Sequence, residues 1–414
     1  PNFTGGVNNI FSFDCGPHGG CDSGNAPADR INMPAPTFIQ SSERNIRRVI
    51  GHELFHHTEY SYITFAQWLN WGRTAVEGTA RMMEDKTYSD IDGDATLRYL
   101  SQVNSFLGSP NQDIWQSSYS GALFWNYLTE RYGTVTTEPQ VGVDFMVQFW
   151  TNAQANNASP DTEATVRDTI NDFDVSATLE NTFHDFTIAN YAKDLDVSGL
   201  VDAAKYRYVD ENDGNGISYN PVATAWSGSI PPQKGPTADT VSRWGAKYYE
   251  ATVDIDCAGI LGFLGDGDTA AYSLLAITGT DTVERIYKGV TGHFAKSLIQ
   301  RAGADRYTRL VAVVAGFDDG PSFDYTFDCG FPKMAIKEPV SSNKAYVGDP
   351  DEPDTFLIRR LVTGLASLGD PTVEGLDKSD FTVFVGDEAP SNEAIVLSGA
   401  NVQGEYWIVA QAPS

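Results

Sequence analysis

The strongest constraint in this chain is a five-residue run, His52-Glu53-Leu54-Phe55-His56, in which two histidines stand four residues apart with a carboxylate beside the first. Residues four apart lie on one face of an α-helix, so both imidazoles can converge on one metal ion while Glu53 stays close enough to act as a base on a water there. The surrounding pattern asks for that helix. Ser41 and Ser42 offer an N-cap, and Ile46, Val49, Ile50 and Leu54 recur at helical spacing. Only six histidines occur in the chain, and three of them, His52, His56 and His57, fall in this segment. His57, one residue past His56, would point away from the metal.

Hydrolytic metal sites usually take three protein ligands and leave the fourth place for water, so the third ligand defines the class. The continuation H-E-x-x-H-x-x-G-x-x-H would need glycine and histidine where this chain has Glu59 and Tyr62. A glutamate from a separate downstream helix is the other solution. Val76-Glu77-Gly78-Thr79-Ala80-Arg81-Met82-Met83-Glu84 supplies one. Taken together, the two segments resemble the gluzincin zinc metallopeptidases, the clan of thermolysin and the zinc aminopeptidases, in carrying H-E-x-x-H followed by E-G-x-A-x-x-x-E. That resemblance spans residues from about 42 to 132 and leaves the rest of the chain untouched. It implies zinc held by His52, His56 and Glu77, with Glu53 as general base. Glu59 is the alternative ligand, and Glu84 suits a place behind the ligands. Without a metal, Glu77 would be a surface carboxylate paired with Arg81 at i+4, worth about 0.2–0.5 kcal/mol.

Such a hydrolase also needs a donor for the oxyanion that forms on the attacked carbonyl. Tyr119 is the candidate: related aminopeptidases place a tyrosine just before a glycine that opens a similar helix, at a spacing one residue longer. A structural role is the competing reading for Tyr119, as it is for His184, a second possible donor. The turn Asp90-Ile91-Asp92-Gly93-Asp94 has the spacing that begins a calcium loop, but the twelfth position falls on Ser101 or Val103 where an EF-hand needs glutamate. Asp90, Asp92 and Asp94 are therefore either a calcium site of another kind or a solvated turn.

Composition narrows the partners. A formal charge of -27 would repel nucleic acid and anionic membrane surfaces, and no run of eighteen apolar residues is present to span a bilayer. Four cysteines allow three connectivities; their grouping by position suggests Cys15–Cys21 and Cys257–Cys329 disulfides and hence an oxidising, extracellular setting, with a zinc knuckle as the alternative for Cys15 and Cys21. The start at Pro1, without a signal-peptide pattern, reads as a mature or trimmed chain.

Helical periodicity dominates from 42 to about 200, with helices expected at Ser42 to Glu59, Thr74 to Asp85, Tyr119 to Tyr132 (stopped by Gly133), Val143 to Asn152, Thr162 to Phe173 and Ala177 to Leu195. Asp210 to Ala238 reads as a connector. Alternation then sets in at Lys247 to Ile255, Leu274 to Ile277, Arg309 to Phe317 and Tyr325 to Cys329. The expected fold is multidomain α+β. A mostly helical, gluzincin-like metallopeptidase domain (1–205) precedes a β-sandwich (206–333) and a small Ig-like β-domain (334–414), where Phe381, Val383 and Val385 alternate. The expected activity is that of a secreted zinc endopeptidase acting on protein or peptide substrates. The alternatives are a glycoprotein- or mucin-directed metalloprotease, an aminopeptidase, and a non-catalytic adhesion protein with a peptidase-like domain.

Overall fold

The helical spacing around the two histidines is realised as a 20-residue helix, α1 (Glu43–Tyr62). The computed structural model describes residues 43–87 and 98–330, apart from 138, 157–158, 210–217, 258–259, 268–269 and 290–291. Beyond these it describes the strands β1 (Ser12–Asp14), β2 (Arg30–Asn32), β12 (Lys333–Ala335), β13 (Tyr346–Val347), β14 (Thr355–Thr363), β15 (Val373–Glu374), β16 (Ile395–Ser398) and β17 (Glu405–Gln411). Ser41, Ser42, Cys15, Cys21, the aspartates at 90, 92 and 94, and the alternating residues at 381–385 lie outside the described residues. Helices and sheets both contribute heavily, so the chain is α+β. It divides into two compact units: Pro1–Asp194 with Val201–Ala223 and Ser242–Lys247, and Leu195–Leu200 with Thr224–Val241 and Tyr248–Ser414.

In the first unit α1 is followed by the short helix α2 (Phe65–Trp68). A π-helical turn, Thr74–Gly78, then runs directly into α3 (Thr79–Thr87). Helices α4 (Arg98–Gly108), α5 (Ala122–Tyr132), α6 (Val143–Ala155), α7 (Thr162–Phe173) and α8 (Leu179–Ala192) complete it. Side-chain caps fix two of the starts: Asp161 accepts from the Ala164 N–H at 3.0 Å, and Thr178 from the Asn181 N–H at 3.2 Å. The aromatic stripes meet in one core. Trp125 packs on Phe149 with ring centroids 4.7 Å apart, and Phe124 on Phe186 at 5.0 Å. Helix α4 is absent from the expected set, although Leu100, Val103 and Leu107 recur at helical spacing and are all buried.

Gly133 ends α5, but not by the left-handed turn that usually selects glycine there, since its backbone is extended at φ -63°. A close crossing selects it instead. A Cβ on Gly133 would stand 2.2 Å from the Gly142 Cα, and one on Gly142 would stand 2.0 Å from the Thr129 carbonyl oxygen. Gly142 also has φ +68°, so a side chain there meets both a collision and a disfavoured backbone.

Among the described residues the second unit holds three five-stranded sheets. Its strands β3 (Trp226–Ile230), β5 (Ala246–Val253), β10 (Tyr307–Gly316), β7 (Ala270–Thr278) and β8 (Val283–Gly289) form the first in that order. The second runs β15, β9 (Gly292–Ile299), β6 (Ile260–Gly267), β11 (Ser322–Gly330) and β4 (Lys234–Thr240). Their inner faces share one core that includes Tyr249, Leu274, Leu310, Phe263, Phe294 and Phe327. The expected Cys257–Cys329 disulfide is present and closes a 72-residue separation. Two strands fall in the segment read as a connector. Both β3 and β4 are edge strands, and their glycines and proline are what edges tolerate and what alternation arguments discount. The third sheet has the order β12-β14-β17-β16, with β13 also on β14.

Replacing Gly142 by alanine is expected to lower stability by about 2–4 kcal/mol, whereas Gly199→Ala, where nothing stands within 4 Å, should change it by less than about 0.5 kcal/mol. Denaturant unfolding of both variants reads the difference.

Candidate metal centre

Helix α1 presents His52 and His56 on one face, both buried, with their Nε2 atoms 3.2 Å apart. The Glu77 carboxylate comes from the π-helical turn: its Oε2 lies 3.4 Å from His52 Nε2 and 3.6 Å from His56 Nε2. These three residues form a group able to hold a metal ion. At such separations the carboxylate oxygen lies beyond good hydrogen-bond length from either ring, and it is buried without a hydrogen-bond partner. Three electron-rich atoms thus face one point. The aspartate turn offered as a calcium site falls among the residues not described, and the clusters of metal-ligating side chains among the described residues come down to this one.

Local packing explains how Glu77 arrives there. The indole N–H of Trp125 donates to the Thr74 carbonyl at 2.7 Å, and the Thr74 hydroxyl donates to the Ile114 carbonyl at 2.8 Å, which fixes the start of the π turn. Gly78 leaves room for the same indole, whose atoms would stand 3.1 Å from a Cβ at that position. Thr79 donates from its hydroxyl to Glu59 Oε1 at 3.0 Å, and Ala80 is wholly buried. Each letter of Glu77-Gly78-Thr79-Ala80 therefore has its own contact to satisfy.

Behind the ligands stand two more carboxylates. His56 Nδ1 is 2.9 Å from Glu59 Oε2, and His52 Nδ1 is 3.1 Å from Glu84 Oε1. A carboxylate can only accept, so Glu59 draws the His56 ring proton to Nδ1 and leaves that ring's Nε2 for a metal, whereas Glu84 faces His52 as a charge neighbour and His52 Nδ1 makes no hydrogen bond. Glu59 is fully buried and also accepts from the Trp68 indole N–H at 2.6 Å, which places it behind His56 rather than in the ligand set. Glu84 binds Arg81 and lies 3.4 Å from Arg48 Nε. The alternative reading of Glu77, an exposed pair with Arg81, does not hold, because Arg81 is buried and turns to Glu84.

Charge completes the picture. Four carboxylates, Glu53, Glu59, Glu77 and Glu84, outnumber the two guanidinium groups, Arg48 and Arg81, and burial raises the pKa of Glu53 and Glu59 among them. Burial opposes a charge on His56, yet the adjoining Glu59 and Glu77 push its pKa up to about 10. Burial likewise opposes ionisation of Glu77, but the facing His52 and His56 hold its carboxyl well below the usual carboxylate range. The site attracts positive charge. Burial raises the pKa of Glu53, partly offset by His52 and His56.

No protein-family model and no curated protein matches the chain. A solved structure with a partial likeness is a family GH115 4-O-methyl-α-glucuronidase with specificity for decorated arabinogalactans, at 8% identity and a TM-score of 0.15. The alignment covers 61% of this chain and 39% of that one, and a likeness this slight carries no argument.

Tyr119 opens a 3-10 turn before α5 and brings its ring within 5.8 Å of the His52 ring. Burial, then the nearby Glu77, push its phenol up to about 12, so it stays a donor at neutral pH. His184 is buried on α8 and is not part of the metal-ligating group. Sequence reasoning did not find Arg48, Trp68, Thr79 or the π turn. The one available signal was the rarity of arginine in an apolar helix stripe, as at Arg48, four residues before His52.

Glu59→Gln and Glu84→Gln are each expected to weaken metal binding about 10–100-fold while preserving stoichiometry. Chelator competition on the folded variants measures this, and loss of the ion altogether in Glu59→Gln would instead make Glu59 a ligand.

Proposed function

We propose that the chain is a secreted zinc-dependent endopeptidase of the gluzincin type, its first unit carrying the peptidase domain and its second the β-sandwich and a small Ig-like domain. The observation that carries this reading is the ligand triangle. Its edges measure 3.2, 3.4 and 3.6 Å, and three ligands on a tetrahedral zinc with bonds of about 2.0–2.1 Å stand about 3.4 Å apart. Two imidazoles and one carboxylate are also a donor set that catalytic zinc takes.

A zinc ion bound there supplies Lewis acidity toward a carbonyl oxygen and lowers the pKa of water. The chain's own residues do the rest. Glu53, with its carboxyl pKa raised by burial, accepts the proton of the attacking water and passes it to the leaving amine. Tyr119, still protonated, donates to the oxyanion. Glu59 keeps His56 in the tautomer that leaves Nε2 free, and Glu84 supplies negative charge beside His52.

Secretion is supported by the Cys257–Cys329 disulfide, a bond that persists in oxidising compartments. Among the described residues no helix is long and apolar enough to cross a membrane. The net charge of -27 disfavours nucleic acid as a partner, and a protein or peptide substrate follows from the proposed zinc chemistry on a carbonyl.

Mass spectrometry of metal content should give one zinc per chain in the native protein and little in Glu77→Ala. Glu53→Gln should keep the zinc and lose about 10²–10⁴-fold in kcat on unblocked and end-blocked peptides alike. Full activity in folded Glu53→Gln would overturn the mechanism, and a well-folded protein that takes up no zinc would overturn the reading as a whole.

A further inference from the structure

We propose that Arg81 is a positioning residue that ties Tyr119 to the Glu84–His52 arm of the metal centre. The inference rests on the zinc-hydrolase reading for its kinetic part and on geometry alone for the rest.

Arg81 sits on α3 between Glu77, one turn before it, and Glu84, three residues after it, and is almost wholly buried. Its Nη1 donates to Glu84 Oε1, the same oxygen that stands 3.1 Å from His52 Nδ1. Its guanidinium carbon lies 4.5 Å from the centroid of the Tyr119 ring, and that ring lies 5.8 Å from the ring of His52. The contacts close a circuit that passes through His52, Glu84, Arg81 and Tyr119 and returns to His52. A disturbance at any one member is therefore felt from two sides.

Neutralising Glu84 does not by itself require Arg81. Arg48 Nε stands 3.4 Å from the other oxygen of Glu84 and supplies a second buried cation. Nor is the Arg81 guanidinium held by a full set of hydrogen bonds, since its Nε is buried without a partner. What Arg81 contributes that Arg48 does not is its flat face against Tyr119, a cation–π contact that desolvation strengthens.

The turn that carries Tyr119 follows Ser118, whose backbone lies at φ -81° and ψ -107° and whose side chain makes no capping hydrogen bond. The phenol tip reaches Glu77, while Arg81 and His52 flank the ring and set its plane. Lysine at 81 would keep a charge for Glu84 but lose the planar fork and most of the stacking. Arg81→Lys thus separates the two duties.

The test uses the full-length protein with its tyrosines replaced by fluorotyrosine. The fluorine resonance of Tyr119 is identified by its loss in Tyr119→Phe. In Arg81→Lys that resonance should move toward the position of a mobile tyrosine, with zinc affinity changed by less than about 3-fold because Glu84 keeps its place behind His52. On peptide substrate kcat should fall by about 10-fold or more with KM nearly unchanged, and the loss should vanish in a Tyr119→Phe background. An unmoved Tyr119 resonance, or a kcat loss that persists undiminished in Tyr119→Phe, would overturn the proposal. Should the native protein hydrolyse no peptide, the proposed activity fails and the fluorine spectrum alone decides the role of Arg81. Arg81→Met serves if the lysine variant does not fold; if neither folds, Arg81 is a stability residue and the proposal is wrong.

Discussion

The crowding of two imidazole nitrogens and a carboxylate oxygen within 3.6 Å of one another is the constraint around which the ligand residues are arranged, and the carboxylate oxygen has no hydrogen-bond partner there. Such an arrangement survives folding only if something offsets it. Part of the offset is already in place, because the outer carboxylates Glu59 and Glu84 are themselves satisfied by Trp68, Thr79, Arg48 and Arg81. The remainder is a demand for positive charge at the centre of the triangle. Burial makes that demand more acute, since the low dielectric of a packed interior raises the cost of leaving a polar or charged group unpaired.

Rigidity of the ligands follows from how little freedom each has. Both histidines share a helix, so their separation is set by helix geometry. His56 is turned by the Glu59 carboxylate on its outer nitrogen, and His52 has Glu84 beside it at 3.1 Å. Glu77 is placed by a turn that Trp125 anchors at its first carbonyl. The ligand set is thus assembled from one helix and the opening turn of another, with contacts from α5 keeping the second in place.

What could be read from the sequence was what depends on periodicity and spacing. The two histidines, Glu77 as their partner, and helix α7 from Thr162 to Phe173 all emerge from local pattern, and the central strands β7 and β10 emerge where the period changes from helical to strand-like. The pairing of Cys257 with Cys329 was legible from position alone. Edge strands β3 and β4 were not, because an edge tolerates the glycine and proline that elsewhere mark a loop. The roles of Glu59 and Glu84 were legible only as alternatives. Which nitrogen of which imidazole they face is decided by side-chain direction in the folded core and not by spacing along the chain. Arg81 shows the same limit: i+4 spacing suggests Glu77 as its partner, and burial hands it to Glu84 instead.

The π turn at Thr74–Gly78 holds one more residue than an ordinary helical turn would. Each residue advances an α-helix by about 100°, so removing a single residue from this turn would swing the Glu77 side chain about a quarter of the way around the axis while α3 continued in register behind it. The aim of the third ligand thus hangs on the residue count of a single helical turn.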